Sequence, residues 1–80
     1  MTTFTKKRDD ENSEYATYTI TGVTSEHEKR VIIAWFELHC ESVEIKSFAN
    51  ETLVVEIVHV FNSHLDEPFA TMLQTLDLNS

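Results

Sequence analysis

Eighty residues, 41% of them hydrophobic, suffice for one domain with a small packed core and are too few for two. The chain carries 14 acidic residues against 6 basic ones, and the net charge of -8 repels phosphate, which argues against direct nucleic-acid binding. One cysteine, Cys40, excludes an intrachain disulfide framework, and the longest apolar run, Val31 to Phe36, is far below the roughly 20 residues of a membrane span.

Met1 to Arg8 contain bases with no apolar stretch behind them, so no signal peptide is expected and a reducing, cytoplasmic setting is. Residues 6–14 are wholly polar. They read as a tail or as the turn of a hairpin between two β-favouring flanks, Thr2 to Thr5 and Tyr15 to Thr21. The chain thus divides into a polar tail or hairpin arm over 1–14 and a single α+β domain over 15–80. Lys6, Lys7 and Arg8 are followed at once by Asp9, Asp10 and Glu11, which cancel their field, so the basic cluster reads as a solvated face.

From Tyr15 to Thr21, Ala16, Tyr18 and Ile20 alternate with Thr17, Thr19 and Thr21, the pattern of a half-buried strand. Gly22, the only glycine, ends it. Ser25 and Glu28 have the spacing of a capping box, which predicts a helix over 26–39. Val31, Ala34, Trp35 and Leu38 form its core-facing stripe. Ile32, Ile33 and Phe36 widen the apolar surface beyond what one sheet covers. The excess requires a second helix of the chain or a second subunit, and these three residues are the candidate homodimer interface.

Ser42 to Phe48 reads as a strand with Val43 and Ile45 inward and Glu44 and Lys46 outward. Ala49-Asn50-Glu51 makes the turn, with Asn50 left-handed. Thr52 to Phe61 is apolar on both faces: Leu53, Val55, Ile57, His59 and Phe61 on one, Val54, Val58 and Val60 with Glu56 on the other. That is the pattern of a central strand covered on both sides. After Asn62-Ser63-His64, Asp66-Glu67-Pro68 opens a final helix whose face is Phe69, Met72, Leu73 and Leu76. The order β-α-β-β-α is a split β-α-β arrangement, and the right-handed crossover rule places the third strand between the first two. The predicted fold class is α+β, two helices on a small antiparallel or mixed sheet, becoming ββαββα if the N-terminal hairpin forms.

No chemical motif emerges. One glycine rules out the phosphate-cradling Gly-rich loops. His59 and His64 stand at an H-x4-H spacing, but with a single cysteine and no second ligand pair among His27, His39 and Cys40 the pattern of structural zinc is incomplete, so no metal and no cofactor is expected. Ser63, His64 and Asp66 include the residue types of a hydrolase triad, but crowded into four positions at a helix start they read as capping groups. Cys40 has no cluster of positive charge to activate it and reads as structural. Asp9/Asp10 and Asp66/Glu67 look solvated rather than buried for acid–base work. His59, on an otherwise apolar strand face, reads as a hydrogen-bonded core or sheet-edge histidine.

Charge therefore carries the functional expectation. From residue 9 onward only Lys29, Arg30 and Lys46 oppose all 14 acids. The expected activity is non-enzymatic: an acidic interaction or inhibitor protein, acting as a homodimer, that occupies a basic protein surface. Asp9, Asp10, Glu11, Glu14, Glu26, Glu37, Glu41, Glu44, Glu51, Glu56, Asp66 and Glu67 are the candidate partner-binding acids. The sharp form is a DNA mimic blocking a nucleic-acid-binding protein, like phage proteins that take over a host in size and charge alone. The alternative is a dimeric small-molecule-sensing or regulatory α+β module.

Overall fold

The computed structural model describes residues 2–78. In chain order the elements are β1 (Thr3–Arg8), β2 (Tyr15–Thr21), α1 (Glu26–His39), β3 (Ser42–Ala49), β4 (Thr52–Val58), a 3-10 turn (Asn62–His64) and α2 (Asp66–Leu78). All four strands are antiparallel to their neighbours in the order β1-β2-β4-β3. This is the α+β, ββαββα form, with β4 inserted between β2 and β3 as the crossover rule requires.

The inward positions of the strands follow the alternation of the sequence. Ala16, Tyr18 and Ile20 of β2 and Leu53, Val55 and Ile57 of β4 are buried side by side, in a register that pairs Tyr18 with Val55. Both helices lie on this face. Phe69 of α2 meets Phe4, Tyr18, Trp35 and Phe36 at ring-centroid distances of 4.9, 5.3, 5.1 and 4.7 Å. This aromatic cluster joins two strands and two helices, and each such pair adds about 0.5–1.5 kcal/mol beyond its buried area.

The opposite face of the sheet has no layer over it. Thr3, Thr5 and Lys7 of β1 and Thr17, Thr19 and Thr21 of β2 line it, and Val54, Glu56 and Val58 of β4 are only half-buried there. Central placement of β4 is thus right, while cover on both sides is not. The mixed Val54-Glu56-Val58 face suits a sheet surface flanked by strands on either side.

The helix stripe also differs from the periodicity reading. The buried residues of α1 are Glu28, Ile32 and Phe36, with Ile33, Trp35 and Cys40 packed beside them, whereas Ala34 is exposed and Leu38 is 83% exposed. Ile32 and Phe36 are therefore closed inside the chain's own core by α2 and the sheet, and Ile33 is partly buried against it. The expected homodimer interface at Ile32, Ile33 and Phe36 is corrected accordingly: the surplus apolar width is taken up by the second helix, the first of the two covers considered.

The basic cluster is corrected in the same way. β1 runs to Arg8, beyond the expected Thr5, so alternation turns Phe4 and Lys6 toward the helices. Residues 3–8 form an edge strand, the hairpin alternative of the two considered for 1–14, and of the basic cluster Lys7 and Arg8 are exposed whereas the Lys6 side chain is turned inward. β4 ends at Val58, three residues before Phe61, where His59 donates its N–H to Glu14 and the chain turns away. In β3, a bulge between Ile45 and Ser47 leaves Lys46 out of the pairing, which keeps Val43, Ile45 and Phe48 opposite Ile57, Val55 and Leu53. Ile45 is nevertheless 47% exposed, because β3 is the edge strand.

Candidate functional site

Two polar regions remain once the core is assigned. The first is an interior cluster beneath the start of α2. Lys6 Nζ donates to Asp66 Oδ1 at 3.0 Å and to the Asn62 carbonyl at 2.7 Å, and Tyr18 donates its hydroxyl to the same Asp66 oxygen at 2.9 Å. The Lys6 side chain is 9% exposed and that of Asp66 49%, so the ion pair is shielded on the lysine side and open to solvent on the other. Burial, then the hydrogen bond to Asp66 and its charge, pushes the Tyr18 hydroxyl above its ordinary value. Asn62 is fully buried and donates Nδ2 to the Ser13 carbonyl at 2.6 Å, while its Oδ1 has no hydrogen-bond partner.

Cys40 caps the C-terminal end of α1 beside this cluster. Burial pushes its thiol up to about 11, against the opposing pull of the Lys6 ammonium. The thiol stays protonated at neutral pH and offers no nucleophile, in keeping with its structural reading. Asp66 faces Lys6 and Tyr18, while the His64 ring stacks on Phe61, so Ser63, His64 and Asp66 do not assemble a triad. His59 accepts the Phe61 N–H through Nδ1 at 2.9 Å, a local turn bond at the end of the sheet. His39 stacks against Trp35 at 4.3 Å. Among the described residues no three His, Cys, Asp or Glu side chains are grouped to hold a metal ion, and no helix is long and apolar enough to cross a membrane. The cluster ties β1, β2 and α2 together.

The second region is one end of the sheet. Register brings Tyr15, Val58 and Ser42 into a row, so the β1–β2 turn, the end of α1, the α1–β3 link and the β4–α2 segment all gather there. Backbone bonds knit these segments: Asp9 N–H to Tyr15, Glu41 N–H to Val58 and His59 N–H to Glu14. Asp9, Asp10, Glu11, Glu14, Glu37, Glu41, Asp66 and Glu67 thereby share this end.

Two of these acids have structural tasks. Asp9 Oδ1 accepts the N–H groups of Glu11 and Asn12 and closes the turn, and Asp66 holds Lys6. Among the described residues, none of Asp10, Glu11, Glu14, Glu37, Glu41 and Glu67 is in an ion pair. The other candidate acids lie elsewhere. Glu44 and Glu56 flank Lys46, Glu26 pairs with Lys29, and Glu51 sits in the β3–β4 turn at the opposite end.

The same end exposes apolar side chains that the periodicity reading had placed inside a strand. Val60 is 48% and Phe61 62% exposed, with Tyr15 partly exposed nearby. Beside them an open hollow of about 660 Å³ is lined by Ser63, His64, Glu67, Pro68 and Thr71. The alternation of β4, running on past Val58, hid Phe61. The polar Asn62-Ser63-His64 break was the available signal that the sheet had already ended. No family model, curated protein or solved structure matches the chain.

Proposed function

We propose that the chain is a non-enzymatic interaction protein whose acidic end docks on a basic surface of another protein. The observation that carries this reading is the convergence, at one end of the sheet, of acids from four segments, six of which are in no ion pair among the described residues and outnumber Lys7 and Arg8 at the end of β1. Such a concentration of one sign steers encounter with an oppositely charged patch and disfavours nucleic acid as a direct ligand.

A DNA mimic is the most demanding form of the proposal. It requires carboxylates arrayed over an extended surface at a density approaching one charge per roughly 1.7 Å of duplex axis. Pairing of Glu44 and Glu56 with Lys46 and of Glu26 with Lys29 leaves the long faces of the molecule partly neutralised, which favours compact docking at one end. Capture from a cell lysate on the immobilised chain, washed with rising salt, tests the reading. A basic protein released by salt, and retained less well by a Glu37→Gln/Glu41→Gln variant, is the expected result. Release by competing duplex DNA would identify the mimic form. Recovery of no salt-sensitive partner would defeat the proposal.

A further inference from the structure

Phe61 is the least explained side chain of the acidic end. Its ring is 62% exposed and is not among the residues packed on the core, so a polar residue there would leave the fold intact. Yet it is held firmly. Its N–H donates to His59 Nδ1 at 2.9 Å, and its carbonyl accepts the His64 N–H at 2.9 Å. Its ring stacks on that of His64, 5.9 Å between centroids and 14° from parallel. The next residue, Asn62, is fully buried, bonded through Nδ2 to Ser13 and through its carbonyl to Lys6. The backbone on both sides is thus anchored, and the ring stands outward, stacked on His64.

Isolated exposed apolar residues need no explanation. An aromatic side chain on an anchored backbone, stacked on His64 and next to a second exposed apolar residue, Val60, is different, because it presents its ring with less ordering left to oppose association. Aromatic anchors in pockets, ringed by polar contacts that exclude water, dominate protein–protein affinity. Acids lie beside this segment: Glu14 is tied to His59 by a backbone bond, and Glu67 lines the hollow that includes His64.

We propose that Phe61, with Val60 beside it, is the apolar anchor of the acidic docking end, so that the partner is a protein surface with an apolar pocket rimmed by lysine or arginine. This rests on the reading of the acidic end as a docking surface and adds what the partner must contain. A plain polycation satisfies only the charge. A basic surface with a pocket satisfies both.

Two synthetic peptides of equal length and lysine content test it, one with leucine and one with serine at the remaining positions. Each is titrated into the full chain by calorimetry, with amide NMR locating the contact. The leucine peptide should bind about tenfold tighter or more, the equivalent of roughly 1.4 kcal/mol, with shifts centred on residues 59–64. Phe61→Ser should remove that advantage without changing affinity for the serine peptide, and Val60→Ser should remove part of it. Glu37→Gln/Glu41→Gln should weaken both peptides alike. Unchanged thermal unfolding of Phe61→Ser separates lost binding from lost fold. Equal binding of the two peptides, or a leucine advantage that survives Phe61→Ser, overturns the anchor while leaving the acidic surface standing. Failure of both peptides to bind overturns the acidic reading and the anchor together.

Discussion

Lys6 shows how far a single side chain can depart from its sequence context. Its neighbours Lys7 and Arg8 are exposed, but strand alternation points Lys6 at the helices, where Asp66 and the Asn62 carbonyl receive its ammonium. Removing one partner of a shielded pair leaves the other groups poorly satisfied. Lys6→Met should therefore lower stability by about 2 kcal/mol in urea unfolding, and Lys7→Met by less than about 0.5 kcal/mol. Equal effects would mean that Lys6 is no better shielded than a surface lysine. Cys40, close by, gives a second prediction at this scale. Its thiol is pushed up to about 11 from an ordinary value near 9, so the folded state keeps a proton that the unfolded chain releases first. The stabilisation is complete below pH 9 and declines as pH rises toward 11. The Tyr18 hydroxyl, also raised, acts in the same direction from its ordinary value near 10 upward, so part of the loss above pH 10 belongs to it. Cys40→Ala should flatten the loss between pH 9 and 11, and thiolate absorbance in the folded protein should rise near pH 11 rather than near 9. Alkylation of Cys40 at neutral pH should be correspondingly slow.

At the level of elements, local signals decided most of the fold. Ser25 accepts the Glu28 N–H at 3.2 Å as the spacing of the capping box predicts, and the Glu28 carboxylate takes hydrogen bonds from Thr24 and Ser25 hydroxyls rather than staying in solvent. Strand alternation located β2 and the inward face of β4, and Pro68 marked the first turn of α2. What the periodicity could not give was the choice among faces of a helix that is apolar nearly all round. Phe69, from an element two strands later in the chain, selects Phe36 and Trp35, and Leu38 is left outside. The bulge at Lys46 is hidden for a similar reason, since register depends on the partner strand. The β3–β4 turn adds a prediction. Asn50 and Glu51 both have positive φ, 53° and 61°, the geometry of a two-residue hairpin loop. Asparagine tolerates this region, glutamate does not, and the sequence reading had assigned it to Asn50 alone. Glu51→Gly removes the steric penalty, and after the added chain entropy of glycine it should raise stability by roughly 0.5–1 kcal/mol. Gly22, at φ 84°, should respond oppositely, with Gly22→Ala destabilising by about 1 kcal/mol or more. Chemical denaturation of the two variants checks both signs.

For the whole molecule, net charge is legible from a count of residues, whereas its distribution is a product of topology. Antiparallel pairing of β2 and β4 with β3, and the return of α1 to the start of β3, place Glu14 at the same end as Glu37 and Glu41 although a whole helix separates them in sequence. Glu44 and Glu56 are instead brought opposite one another in the strand register and share Lys46 between them. An end with this excess of acids repels itself, so the fold should be weakest where screening is least. The screening length falls from about 30 Å at 0.01 M salt to about 10 Å at 0.1 M. Raising sodium chloride across that interval should increase Tm, on the order of 4 °C if the relief is roughly 1 kcal/mol for a domain of this size. Glu37→Gln/Glu41→Gln should raise Tm at low salt and reduce the salt response, because it removes two of the charges responsible. Glu44→Gln should not, since it removes a partner of Lys46 on the open sheet face. Exposed pairs contribute little, so its effect should stay small at either salt concentration. If both variants respond to salt like the parent chain, self-repulsion at the acidic end is too weak to matter for folding. A clear difference between them would locate the strain at the end of the sheet, and binding of a basic partner there should then raise Tm most at low salt.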